Sequence, residues 1–272
     1  MSATKTVFIT GSSTGIGRAA AELFHANGWN VVATMRNPDA GKQLAALPNV
    51  LVTKLDVTSD ASITAAVAAA IERFGSIDVL INNAGFGAYG QLEATSIETI
   101  RRQFDTNVIG LLATTKAFTP QFRKQRSGVI VNISSIAGRL TLPFGSLYAG
   151  TKFAIEGISE SLSFEMRAIG VRVKVVEPGY IKTNFGISRE FNIDPSLTEY
   201  QPLLAKFNEF VEAGRANGAD ASLAAQVIYT AATDGTDQLR YLAGEDAKQL
   251  IGQRLSQGDE SFFKHWRARF GQ

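Results

Sequence analysis

Tyr148 and Lys152, in the stretch YAGTK, stand four residues apart. On a helix that spacing sets both on one face, one turn from each other. The pair admits two readings: a phenol ring packed along a lysine stem, or an acid–base couple in which an ammonium helps a tyrosine give and take a proton. A free tyrosine ionises near ~10 and is a poor base at pH 7. YAGTK alone does not choose between the two, so the elements that would have to hold the pair matter.

Short β-branched runs alternate along the chain with longer helical patterns. The runs are Thr6–Thr10, Asn30–Met35, Val50–Leu55, Ile77–Asn82, Gly128–Ser134, Val171–Glu177 and Leu239–Gly244. Between them lie helical segments such as Gly15–Asn27, Asp60–Phe74, Ile97–Lys124 and Leu147–Ile169. Several runs are apolar nearly throughout, as expected of strands covered on both faces by helices. The alternation predicts an α/β fold: a doubly wound, Rossmann-type, mostly parallel sheet of about seven strands with helices on both faces. No repeat or low-complexity linker interrupts the 272 residues, so one domain is expected. Asn184–Gly218 breaks the alternation and carries Phe185, Phe191, Tyr200, Leu203, Leu204, Phe207 and Phe210. So many large apolar groups in an insertion predict a lid over a pocket.

After the first strand, TGSSTGIG (Thr10–Gly17) runs straight into a helix. Glycines at 11, 15 and 17 allow a sharp turn, close approach to a pyrophosphate and tight helix–sheet packing, with the helix amides facing the phosphates. The second strand ends in ATMRN. A carboxylate there would bind the ribose hydroxyl of NAD; this chain has Met35 and then Arg36, which is either a clamp for the 2′-phosphate of NADP or an ordinary loop cation. Ser12 could add a hydroxyl to the same phosphate. Asp56, closing the third strand, either accepts from an adenine amino group or caps the helix beginning near Ser59. NNAG (Asn82–Gly85) ends the fourth strand and would let backbone approach a cofactor.

Composition narrows the classes. Hydrophobic residues make 45% of the chain and the net charge is +2, too balanced for nucleic acid to be the default partner. With no cysteine, disulfides and thiolate metal sites are excluded, which fits a cytoplasmic protein. His25 and His265 have no carboxylate at metal-ligand spacing, so no metal is expected. No segment approaches ~18 uninterrupted apolar residues, so no membrane span is expected.

TGSSTGIG, NNAG, NISS, YAGTK and VEPG stand in the order and with the spacings of the short-chain dehydrogenase/reductase family, which the chain resembles from about Val7 to Thr183. The stretch GRLTLPFGSLYAGTKFAIEGISESL is most similar to its hydroxysteroid and retinol dehydrogenase branch and the bacterial relatives of that branch. The resemblance implies that Tyr148 is the catalytic acid/base and Lys152 its partner, holding the nicotinamide ribose. Ser135, thirteen residues before Tyr148, would polarise the substrate oxygen, in preference to Ser134. Asn107 would bend the fourth helix and hold a water in a proton relay. Cofactor contacts are implied for Gly11, Ser12, Ser13, Gly15, Ile16 and Gly17; for Arg36, Asp56 and Val57; for Asn83, Ala84 and Gly85; and for Tyr148 and Lys152. Pro178, Gly179, Ile181 and Thr183 would seat the carboxamide.

The expected function is therefore NADP(H)-dependent hydride transfer between nicotinamide and a small hydrophobic ketone, aldehyde or alcohol; Phe86, Tyr89, Leu140, Phe144 and Phe185 are each either a pocket wall or plain core packing. A homodimer or homotetramer is implied, formed by the two long helices bearing Phe118, Phe122, Ile155, Ile158, Leu162 and Phe164. The alternative is a non-catalytic NADP(H)-sensing protein on the same fold. An epimerase would need a larger C-terminal part, and a methyltransferase has no need of the Ser–Tyr–Lys set.

Overall fold

The structure is a computed structural model that describes residues 4–183 and 189–272. Its strands form where the chain can bury both of its faces. Val7 and Ile9 enter one core and Phe8 the other; Val31, Ala33 and Met35 alternate in the same way with Val32. A strand without a solvent face reads as an unbroken apolar run.

Seven strands make one parallel sheet: β1 (Thr6–Ile9), β2 (Asn30–Met35), β3 (Val50–Lys54), β4 (Val79–Asn82), β6 (Gly128–Ile133), β7 (Val171–Pro178) and β11 (Arg240–Ala243). Their order is β11-β7-β6-β4-β1-β2-β3. Two short pairs stand apart, β5 (Gly87–Gly90) with β9 (Arg189–Asn192) and β8 (Ile181–Lys182) with β10 (Ala219–Asp220).

On one face lie α1 (Gly15–Ala26) and α8 (Ala221–Thr233), which bury Ala20, Ala21, Phe24, Ala224 and Ile228; the short α2 (Lys42–Ala45) adds Leu44. On the other, α3 (Asp60–Phe74), α5 (Gly110–Gln125) and α6 (Ser146–Arg167) bury Ala66, Ala70, Phe118, Phe122 and Met166. Each fully buried Phe contributes about 1.5–3 kcal/mol relative to exposure. The expected doubly wound sheet is therefore the fold, with β1 and β4 adjacent at its centre. Their chain connections leave in opposite directions there, which opens a crevice beyond their carboxyl ends.

The helical segment 97–124 is interrupted around Asn107, where the resemblance implied a bend. α4 (Ile97–Phe104) passes through a π-helical stretch, Asp105–Ile109, before α5. The segment 184–218, expected to form a lid, contributes β9 and α7 (Gln201–Ala216); its residues 184–188, Phe185 among them, lie outside the described part. The patterns did not announce the C-terminal helix α9 (Glu245–Arg269). Its Ile251, Phe262, Trp266 and Phe270 join Leu204 and Phe207 of α7 and Ile136 and Leu140 after β6 in a third core at the carboxyl edge of the sheet.

The helix residues expected at a subunit interface divide. Phe118, Phe122 and Ile155 are buried in the chain's own core, whereas Phe164 is 76% exposed and Phe153 and Ile109 also face outward.

Candidate active site

The glycine turn and the NNAG loop meet in the central crevice and lock each other. Thr10 Oγ1 accepts hydrogen bonds from the backbone N–H of Asn83 and Ala84, both at 2.9 Å. Asn83 Nδ2 donates to the carbonyls of Thr10 (2.9 Å) and Gly11 (3.0 Å). A Cβ on Gly17 would fall inside the radii of Gly11 O and Asn83 Nδ2, so only glycine lets the helix come this close. Gly11 and Gly15 have φ of +71° and +59°, in the left-handed region that glycine enters without strain. Thr14, the N-cap of α1, makes no side-chain capping bond, which leaves the first-turn amides to an outside acceptor. Ser13 and Ile16 are half-buried in this turn. Across the crevice a Cβ on Gly15 would touch Thr183 at 3.3 Å, so the glycine turn and the segment after β7 close on one another. An uncapped helix start, backbone stripped of side chains and a facing Thr183 fit a dinucleotide.

Two cofactor expectations change in detail. Ser12 is fully buried and its hydroxyl donates to Ile9 O at 3.0 Å, so it is turned into the sheet and away from any phosphate. Asp56 accepts from the N–H and hydroxyl of Thr58 at 3.0 and 2.7 Å, while Ser59 caps α3; the carboxylate thus shapes a turn rather than capping the helix. Those bonds, and the nearby charge of Arg36, hold its pKa below the ordinary carboxylate value. Met35 is only 2% exposed, packed under Gly41 beside Val52, whereas Arg36 is exposed just past the strand. Val57 packs on Gly110.

Ser135, Tyr148 and Lys152 come together beyond β6. Ser135 caps a 3-10 turn (Ile136–Gly138), accepting from Ala137 N–H at 3.1 Å, and its hydroxyl hydrogen-bonds the Tyr148 phenol. Lys152 Nζ donates to Ile133 O at 2.8 Å and lies 5.6 Å from the Tyr148 ring centre. Burial pushes the phenol above its usual value, and the Ser135 bond and the charge of Arg189 pull it back. Burial lowers Lys152 to about 8, with Glu156 acting against the shift. Ser134, the neighbouring candidate, is buried with no hydrogen bond to its hydroxyl among the described residues.

Asn107 lies in the π-helical stretch, a feature that often marks a functional site. Its Oδ1 accepts from Phe86 N–H at 3.0 Å, and Nδ2 donates to Phe86 O (2.9 Å) and Thr151 Oγ1 (3.1 Å). The amide is thus engaged in fixing Gly85–Phe86 against α6.

Gly179 has no room for a side chain because Asp246, at the start of α9, presses on it and accepts from Tyr180 N–H at 2.7 Å. Pro178 O lies 3.4 Å from the Ser135 hydroxyl, and Ile181 opens β8. Of the expected pocket walls, the Tyr89 ring lies 5.3 Å from that of Tyr148 and stacks 5.9 Å from Phe191, and Phe144 meets Tyr200 and Phe207. Phe86 is half-buried beneath Arg102, and Leu140 belongs to the third core. The sequence patterns did not single out Arg189 or Asp246, and gave Glu156 and Glu177 no role of their own although the quoted stretches YAGTKFAIE and VEPG contain them; a charge does not show its partner before the chain folds.

No group of three or more potential metal ligands occurs among the described residues, and none of their helices is long and apolar enough to cross a membrane.

Residues 5–192 match the family described as short chain dehydrogenase. An uncharacterized oxidoreductase of Schizosaccharomyces pombe is 45% identical over 237 residues, covering 87% of this chain and all of the relative. A 3-ketodihydrosphingosine reductase of Bacteroides thetaiotaomicron is 38% identical over 186 residues, 68% of this chain and 67% of the relative. A short-chain dehydrogenase/reductase of Burkholderia phymatum, solved in complex with NAD, superposes with a TM-score of 0.81 at 26% identity, covering 93% of this chain and 94% of that one. Matching in motif order, in sheet order and in sequence over most of its length, the chain belongs to the short-chain dehydrogenase family of oxidoreductases.

Proposed function

We propose that the protein is an NADP(H)-dependent oxidoreductase that interconverts a hydrophobic ketone or aldehyde with its alcohol. The observation that carries the reading is the contact between the Ser135 and Tyr148 hydroxyls, with the Lys152 ammonium one helical turn beneath the phenol. Gly11, Ser13, Gly15, Ile16 and Gly17 would hold the pyrophosphate; Arg36, Asp56 and Val57 the adenosine end; Asn83, Ala84 and Gly85 the middle; and Pro178, Gly179, Ile181 and Thr183 the carboxamide. A bound nicotinamide supplies or accepts the hydride.

The chain's own residues handle the proton. In reduction, Tyr148 passes its phenolic proton to the carbonyl oxygen while Ser135 donates a hydrogen bond to the same oxygen as charge develops there. A phenol pushed upward by burial is fully protonated at pH 7 and ready for that step. Lys152, with Arg189, favours the phenolate that remains. Asn107 holds the Phe86 segment at the proper distance from α6.

NADP(H) is favoured because the end of β2 offers the exposed Arg36 guanidinium and no carboxylate. A hydrophobic substrate is favoured by the aromatic wall of Tyr89, Phe144, Phe191, Tyr200 and Phe207, and the similarity to a 3-ketodihydrosphingosine reductase agrees with a carbonyl substrate. The outward-facing Ile109, Phe153 and Phe164 support a homodimer or homotetramer. The test is a screen of ketones, aldehydes and alcohols followed by nicotinamide absorbance with each cofactor. Turnover of apolar carbonyls with NADPH is expected; cofactor binding without turnover across the panel would instead identify a sensor.

A further inference from the structure

Behind Lys152 the chain buries a second set of charges. Glu156 lies one turn beyond Lys152 on α6, and Glu177 immediately precedes Pro178 at the end of β7; they are 5% and 1% exposed. Two guanidiniums hold them. Arg139 Nη1 is 3.1 Å from Glu177 Oε1, and Arg240 Nε is 3.0 Å from Glu156 Oε2 and 3.6 Å from Glu177 Oε1. The charged groups facing Glu177 are therefore Arg139 from the turn after β6, Arg240 from β11 and Glu156 from α6. Glu160 pairs with Arg240 at the rim, 2.7 Å away, and Lys152 lies beyond Glu156.

Each anchor sits on an element that carries part of the site. Arg139 follows the 3-10 turn that Ser135 caps, Glu156 shares α6 with Tyr148 and Lys152, and Glu177 fixes the strand end from which Pro178 and Gly179 turn. Close packing leaves the cluster little freedom, since a Cβ on Gly138 would come within 2.9 Å of Glu156 Cγ. Glu156 Oε1 is buried with no hydrogen-bond partner among the described residues, so the pair has more negative charge than its partners fully satisfy.

We propose that Glu156 and Glu177 are positioning residues: clamped by Arg139 and Arg240, they hold Lys152 and the Pro178–Gly179 turn in the geometry that takes the cofactor, and a proton taken up by the pair loosens that hold. Burial and the charge of Glu156 push Glu177 up to about 7, so the uptake falls near neutral pH. Above that range Glu177 is charged and its bond to Arg139 is at full strength. Below it the carboxyl is neutral, the clamp on the strand end weakens, and cofactor affinity falls.

This inference rests on the proposed cofactor function but not on any particular substrate, so it is tested by binding. NADPH fluorescence titrations from about pH 6 to about pH 8.5 compare the wild type with Glu177→Gln, whose amide mimics the protonated carboxyl at every pH. Titration of the nucleotide itself cancels in the ratio of the two dissociation constants. The ratio is expected near one at the acid end, rising to about tenfold at the alkaline end, the equivalent of one pH unit of coupling. A ratio independent of pH overturns the proposal, because a purely structural loss would not follow the proton. Should Glu177→Gln fail to fold, Arg139→Gln serves: losing the facing cation raises the carboxyl further, so the transition in affinity should move to higher pH, and an unmoved transition overturns the proposal. A wild-type protein that bound no NADPH would instead refute the cofactor reading itself and this inference with it.

Discussion

Replacing Lys152 with methionine changes the pH dependence of folding in a way the structure lets one calculate. Burial holds the ammonium at about 8 in the folded protein, against an ordinary 10.5. Between those values the unfolded chain carries a proton that the folded chain has released. Folding stability contributed by this group therefore rises with pH across the window and is lost as pH falls through about 8. Inside the window each pH unit is worth ~1.4 kcal/mol. From pH 7 to about pH 9.5 the wild type is then expected to gain ~2 kcal/mol relative to Lys152→Met, about 4–8 °C in melting temperature for a chain of this size. The variant also leaves Ile133 O without its donor, but that loss does not depend on pH and offsets the whole curve without altering its slope. Urea unfolding of the cofactor-free protein at four pH values, followed through Trp29 and Trp266, both buried, measures the difference. A gap between the two proteins that stays constant from pH 7 to 9.5 would refute the claim that a buried, charge-penalised lysine lies under Tyr148.

Tyr148→Phe is expected to keep NADPH binding while lowering kcat by ~10²–10⁴-fold; near-normal turnover would remove the tyrosine from the chemistry. Arg36→Ala should raise the NADPH dissociation constant by roughly ten- to a hundredfold, the loss of one charge-assisted contact, with NADH almost unaffected, as read by fluorescence titration. Gly17→Ala drives a methyl group into Gly11 O and Asn83 Nδ2, so calorimetry should show weaker nucleotide binding together with a lowered melting temperature. Light scattering should give a dimer or tetramer for the wild type, and Phe164→Glu should shift it toward monomer; an unchanged mass would move the interface elsewhere.

The parts of the molecule legible beforehand are those with local signatures. β2 and α3 have the bounds their runs suggested, because the end of an apolar run and a Ser59 cap are features of neighbouring residues. The glycine turn and NNAG were readable as places where backbone can come close, whereas the Ser–Tyr–Lys set was singled out only by its resemblance to the family, since YAGTK alone fits plain packing as well. Ser12 shows the limit of that reading. A hydroxyl in a phosphate loop suggests a phosphate contact, but here it turns to the Ile9 carbonyl, which also accepts from Thr34 Oγ1, an arrangement that only the folded chain makes. Met35 makes the same point: its position along the strand was clear, while the face it presents is set by Gly41 and Val52, which only the folded chain brings over it. Glu177 and Arg240 are 63 residues apart and meet only because β7 and β11 pair.

The π-helical stretch at Asp105–Ile109 amounts to a surplus residue stored between α4 and α5. It is a phase keeper. The wider π turn takes up the surplus residue with less rotation per residue, so deleting one residue there would restore ordinary α-helical pitch and leave α4 and α5 nearly in phase. Gln103, whose amide holds Phe86 O and Ala88 N–H, would keep its place beside the strand that carries Tyr89. The loss would fall on the bulge itself, where Asn107 reaches both Phe86 and Thr151. A one-codon deletion would thus leave both flanking helices intact and remove only the tie between the Phe86 segment and α6.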